Sequence, residues 1–285
     1  MPLTPELVGR QVGRITVTCD ARWLMSYAAG VPDERPELFD TTTALVTHPM
    51  FPVAPEWELI TTHRTASTSM TRAEVLSGVH SAHDVIVERS IVAGETLDVT
   101  ATVIGVDRRR AGCTQMLLLQ ATDAAGAVVW RTRFTSFFRG VALDGEPTSV
   151  DVDWPAPPDG TPGEGPIAER ASHVRAVDAH VYTECARIWN PIHTDIAVAR
   201  SVGLTAPILH GTATLARGVS IATDLAGWAI GDVGRVIGGF TSMVDLDTTI
   251  TVRLLDISSE WLRFDVLTHD GRTAITGGAI GRRPG

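Results

Sequence analysis

A-P-I-L-H-G-T-A-T-L-A-R-G-V-S-I-A-T-D-L, residues 206–225, is the stretch on which the fold turns. Pro207 suits a first helical turn, where its missing N–H has no intrahelical partner to lose. Apolar residues then fall on nearly every side of the predicted helix. Such a helix has no face to leave in water and must be wrapped by other elements.

The segments that follow supply the wrapping. Arg235 to Met243, Thr248 to Leu255, Trp261 to Thr268 and Thr273 to Ile280 read as strands, with a turn at His269-Asp270-Gly271. The first half of the chain holds a matching set, Val85 to Ser90, Thr96 to Val106, Cys113 to Thr122 and Val128 to Phe138, punctuated by Ala93-Gly94, Arg108 to Gly112, and Gly126. A weak repeat runs ahead of both sets. Asp20-Ala21 precedes Tyr27-Ala28 as Asp178-Ala179 precedes Cys185-Ala186, at an offset of 178 − 20 = 158. Each Asp is placed as the N-cap of a helix. A long buried helix swaddled by an antiparallel meander is the hotdog arrangement, and two such halves predict an α+β double hotdog. The helix of the first half reads poorly: Glu74 to Val79 is short, and Met50-Phe51-Pro52-Val53-Ala54-Pro55 is interrupted by prolines. Residues 1–150 are therefore expected to form a degenerate repeat and 167–285 a complete one. The Pro/Gly-rich segment 151–166, which includes W-P-A-P-P-D-G-T-P-G-E-G-P from Trp154, reads as a linker.

Composition removes several function classes. All 24 basic residues are arginine, so a P-loop lysine, a Schiff-base lysine and a pyridoxal-phosphate anchor are excluded. The net charge of -9, with no basic stripe interleaved with aromatics, argues against a nucleic-acid partner. Three cysteines without CxxC spacing suit reduced thiols in the cytoplasm and no structural metal site. No apolar run approaches the ~18 residues that span a bilayer, and the N-terminal M-P-L-T-P-E-L-V-G-R lacks the features of a signal peptide. A cytoplasmic protein without a membrane partner is the expectation.

The chemistry-bearing string is Tyr182 to Asp195, Y-T-E-C-A-R-I-W-N-P-I-H-T-D, followed by P-I-L-H-G from Pro207. It resembles the MaoC-like, hydratase-2 family of double-hotdog enoyl-thioester hydratases and dehydratases. Tyr27-Ala28-Ala29-Gly30-Val31, His48-Pro49-Met50-Phe51-Pro52, Gly78-Val79-His80 and Gly94-Glu95-Thr96-Leu97 are similar to the family's substrate-side half. The resemblance implies a thioester substrate on coenzyme A or a carrier protein's phosphopantetheine and no further cofactor. It also implies a homodimer, or a heteromer with a second hotdog chain. In the family an aspartate and a histidine five residues later share the proton transfers, an asparagine between them positions water or hydroxyl, and a glycine N–H at the helix supplies an oxyanion donor. His193 matches the histidine, Asn190 the asparagine and Gly211 the glycine.

The aspartate position is Ile188, and the glycine before it is Arg187. Isoleucine has no acid–base chemistry, so the dyad is reduced to His193. Glu184, one helical turn before Ile188, is the candidate replacement carboxylate; Asp195 is expected to cap the next turn, and Tyr182 is too weak a base at neutral pH. Tyr182, Trp189, Arg187 and His210 are the candidate substrate contacts. Arg108-Arg109-Arg110 reads as a solvated turn. Three functions compete: a hydratase or dehydratase variant using His193; an isomerase, cyclase or specialised-metabolism dehydratase on the same fold; and a non-catalytic acyl-binding or partner subunit.

Overall fold

The structure, a computed structural model, describes residues 3–66, 70–71, 74–75, 78–157 and 165–284. The first half runs β1 (Gln11–Thr18), α1 (Ala21–Gly30), α2 (Val53–Ala66), β2 (Gly78–Val87), β3 (Thr96–Arg109), β4 (Gly112–Thr122), β5 (Val128–Arg139) and the short β6 (Thr148–Ser149). The second runs β7 (Ala168–Val174), α3 (Asp178–Ala186), α4 (Ile196–Ser201), β8 (Ile208–Leu209) and α5 (Gly211–Leu225). It closes with β9 (Val233–Phe240), β10 (Val244–Asp245), β11 (Thr248–Ile257), β12 (Trp261–Leu267) and β13 (Thr273–Arg282). Period-two patterning builds the strands: Leu97, Val99, Ala101 and Val103 of β3 are wholly buried, while Asp98, Thr100 and Thr102 face outward.

The large sheet has the order β1-β3-β4-β5-β2-β9-β13-β12-β11-β7. Read from either edge, it gives the same succession: the strand before the first helix, the three-strand meander in chain order, then the strand that precedes the meander. The two copies join at β2 and β9, antiparallel, with Ala82 opposite Gly239 and Ile86 opposite Arg235. Each copy curls around its own helix, α2 in the first and α5 in the second, so this is a double hotdog. Helix α5 rides close to its sheet: a Cβ on Gly218 would sit 2.6 Å from the Phe264 ring, which requires glycine there.

Three expectations need correction. The first repeat is not degenerate in its helix, since α2 has 14 residues against 15 in α5. Pro52 precedes α2 and Pro55 occupies its first turn, where proline costs no hydrogen bond; of the predicted helix 74–79, Glu74 and Val75 are helical, Gly78 opens β2, and 76–77 lie outside the described residues. Helix α5 starts at Gly211 and not at Pro207, because Ile208 and Leu209 are extended and pair with Asp245 and Val244. Asp20 caps α1 by accepting from the Trp23 N–H, but Asp178 is the first residue inside α3. Its carboxylate pairs with Arg217 at 2.5 Å, both side chains being 2% exposed.

The linker falls partly on 158–164, outside the described residues. Its earlier part is strapped to the sheet at the join between the copies. Arg235 pairs with Asp84 at 2.8 Å and donates to the Pro155 and Ala156 carbonyls, while Trp154 donates to Asp84. No helix among the described residues is long and apolar enough to cross a membrane.

Candidate active site

Helix α3 ends at Arg187, whose left-handed backbone (φ 59°) turns the chain sharply out of the helix. The turn directs Ile188 into the core, where it is 2% exposed. Pro191 then opens a single 3-10 turn, Pro191–His193, and Asp195 caps α4 by accepting from the Ala197 and Val198 N–H groups. The chain returns through β8 to His210, directly before α5.

These segments bring His193 and His210 face to face, with ring centroids 3.6 Å apart and planes 27° from parallel. The Nδ1 of His193 lies 2.9 Å from the Ile208 carbonyl, a group able only to accept, so Nδ1 carries the proton and Nε2 is the unprotonated nitrogen. Burial pushes His193 down to about 4, against the opposing pull of that carbonyl, so the ring is neutral at physiological pH. His210 is held well below its ordinary value by burial and by His193 beside it. Its Nε2 meets Thr183 Oγ1 at 3.2 Å. As the N-cap of α5 it makes no side-chain cap, so the positive end of a 15-residue helix begins at the solvent-exposed Gly211 without a side-chain cap.

A cleft of about 230 Å³ is lined by His180, Thr183, Glu184, Trp189, Asn190, Pro191 and Thr194, and Thr183, which meets His210, links it to the pair. Glu184, Trp189 and Asn190 thus share one wall. The Asn190 side chain makes no cap bond, Trp189 is 60% exposed, and Glu184 is exposed to solvent. Two expected substrate contacts stand elsewhere. Tyr182 is wholly buried, donates to Thr212 Oγ1 at 3.1 Å and meets the Tyr27 hydroxyl at 3.3 Å; it reaches the start of α5 from behind. Arg187 lays its guanidinium over the Trp23 ring of α1, 4.1 Å from the centroid.

The first half contains a counterpart of this site that the offset of 158 conceals. Tyr27 and Tyr182 are 155 positions apart. At that spacing the 3-10 turn Pro36–Leu38 corresponds to Pro191–His193. Pro32 (φ 26°) corresponds to Arg187, and Asp40, which accepts from the Thr42 N–H, to Asp195. A second cleft, of about 610 Å³, uses the equivalent positions Ala29, Glu34 and Phe39. His48 packs 5.7 Å from Tyr27 as His210 packs 5.0 Å from Tyr182. In this register Asp33 stands where Ile188 does, Arg35 where Asn190 does, and Leu38 where His193 does. The carboxylate absent from the second copy is present in the first, but it is engaged. Burial alone would raise Asp33, yet hydrogen bonds and charge from Arg35, with His48 nearby, hold it at about 2. The residue after His48 is Pro49, which has no N–H to offer an oxyanion. Among the two copies, only the second combines histidine, asparagine and an uncapped helix N-terminus.

No group of three or more His, Cys, Asp or Glu side chains among the described residues is arranged to hold a metal. Residues 158–263 match the MaoC like domain family. In fold the chain is similar to a MaoC-like dehydratase from Phytophthora capsici, at 23% identity and TM-score 0.81, covering 95% of this chain and 94% of that one. It is also similar to the peroxisomal multifunctional enzyme type 2 of Drosophila melanogaster, at 20% identity and TM-score 0.77, covering 95% of this chain and 48% of that longer one. A conserved Mycobacterium tuberculosis protein described as having a double hotdog fold matches at 14% identity and TM-score 0.59, over 95% of this chain and 96% of that one. No curated protein matches the sequence.

Proposed function

We propose that this MaoC-like double-hotdog chain catalyses hydration of enoyl thioesters, or the reverse dehydration of 3-hydroxyacyl thioesters, with His193 as its single proton-transfer group. The observation that carries the proposal is the Nδ1 contact to Ile208, which fixes the tautomer and leaves Nε2 free as a base. In dehydration Nε2 takes a proton from the carbon next to the thioester carbonyl. The enolate charge that develops on the thioester oxygen is met by the Gly211 N–H at the positive end of α5. The imidazolium then returns the same proton to the departing hydroxyl, the carbon–oxygen bond breaks, and water leaves. Hydration retraces these steps, so one imidazole balances both directions without the aspartate. Asn190, on the cleft wall, is assigned to hold the water or hydroxyl. The carrier is taken to be coenzyme A or phosphopantetheine, entering past the exposed Trp189.

The test is hydration of crotonyl-CoA and longer enoyl-CoA substrates, followed by loss of the conjugated thioester absorbance. His193→Ala is expected to lower kcat/KM by about 10²–10⁴-fold, the usual worth of a general base. Glu184→Gln is expected to leave most of the rate, because its carboxylate is solvated. Unchanged activity in His193→Ala would refute the mechanism, and collapse in Glu184→Gln would restore a two-residue dyad.

A further inference from the structure

The interior of the first copy holds polar groups that neither the fold nor the proposed chemistry uses. His83, on β2, is 1% exposed, and neither ring nitrogen has a hydrogen-bond partner. Gln115, on β4, is 2% exposed; its Oε1 takes a hydrogen bond from His63 of α2, and its Nε2 is unpartnered. The two lie on the inner face on either side of β5. His83 is paired across to Phe134, and Gln115 to Ser136 two residues further on. Leaving such groups unsatisfied in a protein interior is costly, and two on one inner face, a strand apart, call for a partner.

A line of rings connects His83 to the proposed oxyanion site. The Phe240 ring packs against Gly211, where a Cβ would lie 2.9 Å from it. His80 sits 4.4 Å from Phe240 and stacks on Phe134 at 3.9 Å. His83 follows, 5.3 Å from His80. Phe240 and His80 are half-buried, whereas His83 and Gln115 are enclosed, so the line runs from the accessible end of α5 into the first copy.

We infer that the acyl chain of the substrate lies along Phe240 and His80 and carries an oxygen function, a hydroxyl or keto group, that meets His83 and Gln115. This rests on the thioester reading above and names its substrate class: oxygenated acyl thioesters, not plain hydrocarbon chains. A neutral imidazole offers a donor on one nitrogen and an acceptor on the other, and a hydroxyl can pair with either one, while the Gln115 amide donates to a hydroxyl or keto oxygen. A plain chain would leave both groups unpaired, the situation in which a site discriminates most strongly.

The test compares enoyl-CoA substrates of equal length, plain or with a hydroxyl placed at successive carbons beyond the double bond, in the wild type, His83→Leu and Gln115→Met. The wild type is expected to prefer one hydroxylated isomer by about tenfold or more in kcat/KM, and each variant to bring that ratio towards one. Calorimetry with the saturated acyl-CoA pairs provides the same comparison without turnover, and thermal melting checks that the variants fold. Turnover of the whole series with no preference, or a preference retained in both variants, overturns the inference while leaving the hydratase reading intact. Absence of turnover with a preserved difference in affinity overturns the hydratase reading alone. Absence of both overturns the two together.

Discussion

Ile188, aligned by the resemblance with the family's aspartate, is packed among apolar residues, 2% exposed. A carboxylate placed there would enter the core without a cation beside it. Ile188→Asp is accordingly expected to cost about 3 kcal/mol or more of stability, read from urea unfolding at pH 7.5, and less at pH 5, where the buried acid is neutral. A variant as stable as the wild type would mean that the pocket is wetter than its burial indicates. The backbone around Asn190, His193 and Gly211 was legible in the chain because it is local: a 3-10 turn opened by proline, a capped helix after it, and a helix start. Asp33 was not, because the pairs Asp20-Ala21 and Asp178-Ala179 suggest a spacing of 158 whereas the site segments repeat at 155, and a three-residue slip hides R-P-E-L-F-D beneath N-P-I-H-T-D.

At the scale of elements, the end of α3 carries an arginine in a conformation that favours glycine. Its stacking on Trp23 ties α3 to α1, the corresponding helix of the other copy, and is worth about 0.5–1 kcal/mol. Arg187→Ala removes the stack and keeps the strained φ, so a loss of about 1 kcal/mol is expected in chemical denaturation. Arg187→Gly loses the same contact but relieves the backbone by a similar amount, and should lie close to the wild type. Equal losses in the two would show that the turn is unstrained. The meander strands β4, β5, β11 and β12 were readable from alternation, since each has one buried and one more exposed face. Helix α2 was not, because Pro52 and Pro55 resemble breakers until their positions before and within the first turn are known.

Across the whole molecule, buried histidines couple stability to pH. Burial pushes His48, His83 and His193 down to about 4 and His210 well below its ordinary value. A histidine whose folded pKa is depressed leaves stability untouched above about pH 6.5, where both states are neutral. Below that, the unfolded chain takes up the proton first, and each group removes roughly 1.4 kcal/mol per pH unit until its folded value is reached. Buried Glu56 acts the other way: burial pushes its carboxyl up to about 8, so the folded chain holds a proton that the unfolded chain releases, and stability rises as pH falls from 8. The melting temperature is therefore expected to rise slightly from pH 8 to about 6.5 and then to fall towards pH 5, four histidines outweighing one carboxyl; no fall below pH 6.5 would mean that these rings are solvated. Catalysis by the proposed route should not follow that fall while the protein remains folded, because the neutral His193 proposed as base persists down to about pH 4. The most direct test is the pH dependence of kcat/KM for enoyl-CoA hydration between pH 5.5 and 8, in the wild type and in His193→Ala. A level wild-type profile, lowered throughout by about 10²–10⁴-fold in the variant, is the predicted result. A bell-shaped profile with two ionisations, or the wild-type rate surviving in His193→Ala, would contradict a site that works through one histidine.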